Sequence, residues 1–221
     1  MDFPWTTIII VILLIIIIYF VWTMLSSSST TVSTGSQNAS KSTPMTVTQA
    51  YSFTISTWLY VNSWNASQKN IITTPTGSSN PFNLSLGEVD NNLYVTIGDQ
   101  SIPVGGVKST ISIPLQTWAS IIATVNNGNS LDIYVNGKLV QTTALDKVYS
   151  LPAGTINVGG GIDGYISSTF DSNPFGPQDA WNTYSSGYGS SGGSSISDFF
   201  NRYKVRFAFV KDNVELNSLD I

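Results

Sequence analysis

The spacing of apolar and polar residues changes twice along the chain. From Ile8 to Trp22 the side chains are apolar without interruption except Tyr19, and Asp2 is followed by no charged residue until Lys41. Thr6 to Leu25 gives a stretch that, as a helix rising ~1.5 Å per residue, spans about 30 Å, the thickness of a hydrocarbon core. This predicts a single N-terminal transmembrane helix within residues 1–25. Ile8 and Leu14 form its apolar body, and Trp5 at one end with Tyr19 and Trp22 at the other sit at the two membrane interfaces. Residues 26–48 then hold fourteen Ser or Thr among twenty-three. Such a composition reads as a flexible tether, with an end-to-end distance of roughly 25–30 Å.

At Ala50 the period becomes two. Tyr51, Phe53, Ile55, Thr57, Leu59 and Val61 alternate with Ser52, Thr54, Ser56, Trp58 and Tyr60, the pattern of a half-buried strand. Short runs of the same kind recur at 70–74, 82–88, 93–98, 107–113, 118–125, 131–135, 138–143 and 155–159, separated by Gly, Pro and Asn. Regular spacing of this sort predicts an all-β fold, an antiparallel sandwich. Asn136-Gly137 between two of the runs calls for a type I′ hairpin, because that turn needs positive φ at both central positions. Beyond Phe170, Pro177 to Tyr184 reads as a short helix with Pro at its first position and Gly187 as its stop. A Gly/Ser linker follows at 185–197. Residues 198–221 then alternate as a terminal hairpin arm with Tyr203, Val205, Phe207 and Phe209 on one face.

Composition narrows the chemistry. The 221 residues contain no histidine and no cysteine, so disulfides, thiolate nucleophiles, Cys/His metal sites and imidazole bases are excluded. Charged residues make up 10% of the chain and the net charge is −4, which leaves no general basic field for nucleic acid. Asn38, Asn65 and Asn83 each begin an Asn-x-Ser acceptor pattern for glycosylation.

The stretch from Trp118 to Val140, with its Asn126-Asn-Gly-Asn turn and its Val135-Asn-Gly, resembles the paired strands of the concanavalin A-like lectin/glucanase superfamily, in its laminin-G-like branch. Phe53-Thr-Ile-Ser-Thr-Trp-Leu-Tyr-Val resembles that family's early strand, and Ile156-Asn-Val-Gly-Gly with Ile162-Asp-Gly-Tyr-Ile-Ser its closing strands. The resemblance covers about residues 50–168 and implies a jelly-roll of two curved sheets within 49–184, in which Trp58 and Trp118 are core residues.

The glucanases of that family use two glutamates in a Glu-x-Asp-x-x-Glu arrangement. Here Glu88-Val-Asp90 is followed by Asn-Asn-Leu93, and the only other glutamate is Glu215. The second carboxylate is missing, so the expectation is a non-enzymatic protein with no cofactor. Laminin-G-like domains bind calcium or sugars at the sandwich rim. Of the loop aspartates Asp90, Asp99, Asp163 and Asp171, the candidates for calcium are Asp90 and Asp163. Trp64, Tyr165 and Trp181 are the candidates for stacking on a sugar.

The order of anchor, tether, sandwich, helix, linker and hairpin is similar to that of membrane-anchored structural proteins of large icosahedral DNA viruses of algae. That resemblance implies a minor capsid protein holding the virion's inner membrane to the shell, with the lipid bilayer and capsid proteins as partners. The alternative is a membrane-anchored, carbohydrate-binding adhesin on a cell or virion surface.

Overall fold

The computed structural model describes residues 12–19, 31–75, 78, 80–103, 111–188, 206–211 and 214–220. Two antiparallel sheets pack face to face. The seven-stranded sheet runs β1 (Thr31–Ser33), β13 (Asp163–Asp171), β4 (Phe53–Ser63), β9 (Trp118–Asn126), β10 (Ser130–Val135) and β11 (Lys138–Ala144), with β2 (Gln37–Asn38) also pairing to β13. The six-stranded sheet runs β3 (Thr43–Val47), β12 (Gly154–Val158), β5 (Lys69–Thr73), β6 (Phe82–Leu86), β7 (Leu93–Ile97) and β8 (Gln100–Pro103). This is the antiparallel sandwich that the alternation predicts, and its two sheets fit the jelly-roll that the resemblance implies. The Asn136-Gly137 turn joins β10 to β11 with φ of 50° and 74°.

Period-two alternation in β4 sends Phe53, Ile55, Thr57, Leu59 and Val61 inward, where all are at most 1% exposed. Opposite them lie Phe82, Leu84 and Leu86 of β6 and Leu93, Val95 and Ile97 of β7. Phe53 is the hub, with its ring 5.6 Å from Phe82 edge-on, 6.1 Å from Phe170 and 6.2 Å from Tyr149. The hydroxyls of Thr57 and Ser168, paired across β4 and β13, satisfy one another at 2.9 Å inside this apolar layer.

Two expectations need correcting. The tether boundary at 48 is too late, because residues 31–47 supply three strands, and Ala39, Met45 and Val47 are buried in the core. Thr, Ser and Val are small or β-branched residues that suit an edge strand, so a composition that resembles a linker also pairs against β12 and β13. Trp58 is buried as expected, but against Tyr184 of the later helix and not between the sheets, and Trp118 is only half-buried. They lie on the outer face of the seven-stranded sheet, on the opposite side of their strands from Leu59 and Ala119.

That outer face is covered by the chain after β13. The Thr54 hydroxyl donates to the Asn173 carbonyl and accepts from the Phe175 amide, both at 2.9 Å, which turns the chain back across the sheet. A helix at Pro177–Ser186 follows, with Pro in its first turn, its N-terminal Gly176 amide held by the Asp179 carboxylate, and Gly187 as its C-cap. Ala180 packs on Ile122 and Tyr134 beneath it. Burial pushes the Tyr134 phenol above its ordinary pKa, with Asp132 and Asp179 adding to the effect.

Residues 12–19, which include Leu14 and Tyr19, are helical and exposed. Trp5, Ile8 and Trp22 lie outside the described residues. Among the described residues no helix is long and apolar enough to cross a membrane. In the arm, β14 (Arg206–Lys211) pairs with β15 (Val214–Asp220) as a separate two-stranded sheet, with Phe207 in register with Leu219 and Phe209 with Asn217. Tyr203 and Val205 lie outside the described residues.

Candidate functional site

The outward face of the six-stranded sheet carries an uninterrupted register row. Pro44, Asn157, Thr73, Asn83, Thr96 and Ser101 are successive cross-strand partners through β3, β12, β5, β6, β7 and β8. A second row beside it runs Asn70, Ser85 and Tyr94. The face exists because the inward positions of these strands are apolar and the alternate positions are amides and hydroxyls, so pleating sorts them automatically. A cavity of ≈ 470 Å³ lies over it, with Gln68, Asn70, Asn83, Asn157, Thr73 and Thr74 in its lining.

The groove is uncharged but dense in hydrogen-bonding groups. Asn83 turns its carbonyl oxygen to the Thr74 amide at 3.1 Å, which stiffens one wall. Gln68, Asn70 and Asn157 make no side-chain hydrogen bond among the described residues, so each presents an amide donor pair and an acceptor to the groove. Groups of this kind match a ligand that carries hydroxyls at short, regular intervals. The cavity's volume falls within the range of small-ligand sites, and its lining is polar where most such sites are apolar.

One end of the groove is braced by a buried cation. Lys69 is 1% exposed, and its ammonium donates to the backbone carbonyls of Asn65, Ser67 (2.7 Å) and Glu88 (3.1 Å). It also lies 4.1 Å from the centroid of the Trp64 ring. Desolvation pulls the Lys69 pKa below the ordinary lysine value, against the opposing charge of Glu88. Sequence reasoning passed over this residue, because a lone lysine beginning a strand carries no spacing signal. Its neighbours Gln68 and Asn70 are the groove residues that it positions.

The three aromatic candidates separate. Trp64 packs against the inter-sheet core with Lys69 over its ring. Tyr165 and Trp181 are exposed on the opposite side of the sandwich, on the outer face of the seven-stranded sheet and on the helix that crosses it. Of the aspartates expected in loops, Asp163 and Asp171 are instead the end residues of β13, and all four are occupied locally. Asp90 accepts from the Asn92 side chain at 2.9 Å, Asp163 from the Ser63 hydroxyl, and Asp171 from the Asn173 amide at 2.8 Å. Asp99 pairs with Lys147 at 2.6 Å on the surface, and that contact lowers its pKa. Among the described residues no cluster of three or more metal-ligating side chains occurs.

This architecture is that of a lectin-type sandwich, and the comparison with known families agrees. The chain belongs to the concanavalin A-like lectin/glucanases superfamily, whose laminin G-type family model matches residues 33–173. The match begins sixteen residues before the expected domain start, at the edge strands already noted. No curated relative matches the sequence. Among solved structures, the chain is similar to the binding domain of botulinum neurotoxin serotype G, with 16% identity, TM-score 0.50, and coverage of 72% of this chain and 46% of that one. It is similar to the binding domain of Paraclostridial Mosquitocidal Protein 1, with 16% identity, TM-score 0.51, and coverage of 75% and 49%. Domain 4 of AbnA, an extracellular GH43 arabinanase from Geobacillus stearothermophilus in complex with arabinotriose, shares 13% identity at TM-score 0.50, over 62% of this chain and 70% of that one. At these identities the likeness is one of fold. The chain spans about half the length of the toxin binding domains it matches.

Proposed function

We propose that the sandwich is a non-catalytic, lectin-like carbohydrate-binding domain, with the outer face of the six-stranded sheet as its binding surface. The observation that carries this is the set of unpartnered amides, Gln68, Asn70 and Asn157, on an uncharged face rich in hydroxyls. Sugar hydroxyls are neutral, paired donors and acceptors, and amides are the side chains that offer both functions without the desolvation cost of a charge. Tyr94 in the adjoining row adds an apolar ring face beside them. The fold neighbours support the class: one was solved with arabinotriose, and another is described as depending on ganglioside molecules for cell entry.

The N-terminal apolar run would hold such a domain at a membrane surface, as an adhesin or receptor-binding module. The capsid-linker reading rests on the order of sequence segments alone, whereas the lectin reading also has a built surface. The test is a glycan array probed with the full chain in lipid nanodiscs, followed by titration of the best-binding oligosaccharide. The Asn70→Ala/Asn157→Ala variant is expected to lose ten- to hundredfold in affinity, since each of the two lost bonds costs ~0.7–1.4 kcal/mol. Unchanged affinity in that variant, or no glycan binding by the wild type, refutes the proposal.

A further inference from the structure

The outer face of the seven-stranded sheet carries a second ordered row. Asn38, Tyr165, Tyr60 and Trp118 are successive register partners across β2, β13, β4 and β9, so three aromatic side chains stand on adjacent strands. Tyr165 is exposed and Tyr60 and Trp118 are half-buried. Strands lie ~4.8 Å apart, which sets the rings at about the width of one sugar residue from each other. Amides close the end of the row. Asn62 follows Tyr60 on the same face, its side chain reaching Asp163, and Gln116 reaches the Asn62 carbonyl.

One ring in this row is already covered. Tyr188 lies over Trp118 with ring centroids 3.6 Å apart and planes 8° from parallel. Aromatic side chains prefer offset or edge-on contacts at ~4.5–7 Å, so a close face-to-face stack is not the arrangement that two such rings ordinarily select. Tyr188 touches the rings of Trp118 and of Trp58 (6.3 Å, edge-on), and its hydroxyl has no hydrogen bond among the described residues. It stands between Gly187 and Gly189 at the head of the Gly/Ser segment. Gly187 has φ of +82°, and a Cβ there would meet nothing within 4 Å. The Gly187 amide donates to the Tyr184 carbonyl at 3.0 Å, which ties the backbone before Tyr188 to the helix end, and the Tyr188 side chain itself is held by ring contacts.

We propose that Trp118, Tyr60 and Tyr165 form a second, aromatic sugar subsite, and that Tyr188 closes it in the free chain by occupying the Trp118 face. A pyranose ring stacking its C–H face on Trp118 displaces Tyr188, and Asn62 and Gln116 receive its hydroxyls. The inference rests on the lectin reading of the domain but on a different sheet from the groove.

The test uses the full chain in nanodiscs against arabino-, gluco- and sialyl-oligosaccharides on the array, with titration of the best binder. Tyr188→Ala is expected to bind about tenfold more tightly than wild type, and Tyr188→Phe, which keeps the stack, like wild type. The gain must persist in the Asn70→Ala/Asn157→Ala background and vanish with Trp118→Ala. Equal or weaker binding by Tyr188→Ala, or a gain that survives Trp118→Ala, overturns the inference. If the groove variant abolishes binding and Tyr188→Ala changes nothing, the groove reading stands and this one falls; if neither wild type nor Tyr188→Ala binds any glycan, both fall.

Discussion

Replacing Lys69 by Met keeps an unbranched stem of similar length and removes only the ammonium. In the folded chain that ammonium donates to three backbone carbonyls from two loops and faces the Trp64 ring. Each hydrogen bond to a charged donor is worth ~1.5–3 kcal/mol at a typical, partly hydrated site, so three give at most about 5–9 kcal/mol before the extra cost of deep burial. Against this stands the cost of burying the charge, several kcal/mol for a site this enclosed, and the lowered pKa of Lys69 shows that cost operating. The difference sets the loss for Lys69→Met at about 3 kcal/mol. For a sandwich of this size, each kcal/mol moves the midpoint by ~2–4 °C, so thermal unfolding followed by circular dichroism should show a drop of about 6–12 °C. Binding in the groove should weaken too, because Gln68 and Asn70 flank the residue. A variant within about 1 kcal/mol of wild type would refute the reasoning: it would mean that the carbonyls at Asn65, Ser67 and Glu88 are satisfied equally well without the cation.

Three further outcomes follow from single residues. Phe53→Ala empties the hub between Phe82, Phe170 and Tyr149 and should cost about 3–5 kcal/mol, read as a lower urea midpoint with unchanged slope. Gly137→Ala forces a side chain into positive φ and sets its Cβ 3.0 Å from Trp181 and Tyr184; a loss of about 1–2 kcal/mol in thermal unfolding is expected, with the helix–sheet contact loosened. Burial raises the Tyr149 pKa above the ordinary phenol value, and its hydroxyl donates to the Asn80 carbonyl at 3.2 Å. A folded-state pKa above the unfolded value of about 10 means this stabilisation is complete below pH 10 and is lost as pH rises beyond it. Wild type should therefore lose stability above pH 10 more steeply than Tyr149→Phe, and identical slopes would contradict the assignment.

Local pattern alone determined the strands whose two faces differ. Alternation marked β4, β6, β7, β9 and β10, the Asn136-Gly137 pair marked its hairpin, and Pro177 and Gly187 marked the helix ends, because these signals depend on pleat, φ and capping within a few residues. Edge strands were hidden: residues 31–47 spell a tether, and only pairing with β12 and β13 makes them strands. The tertiary structure also decided which face each aromatic meets. Alternation says that Trp58 and Trp118 lie on the face opposite Leu59, but whether that face is wet or covered depends on a helix more than fifty residues later in the chain. The groove and the aromatic row were illegible for the same reason. Asn70, Asn83 and Asn157, like Tyr60, Trp118 and Tyr165, are ordinary polar or aromatic positions in sequence, and strand register across long loops is what makes them neighbours.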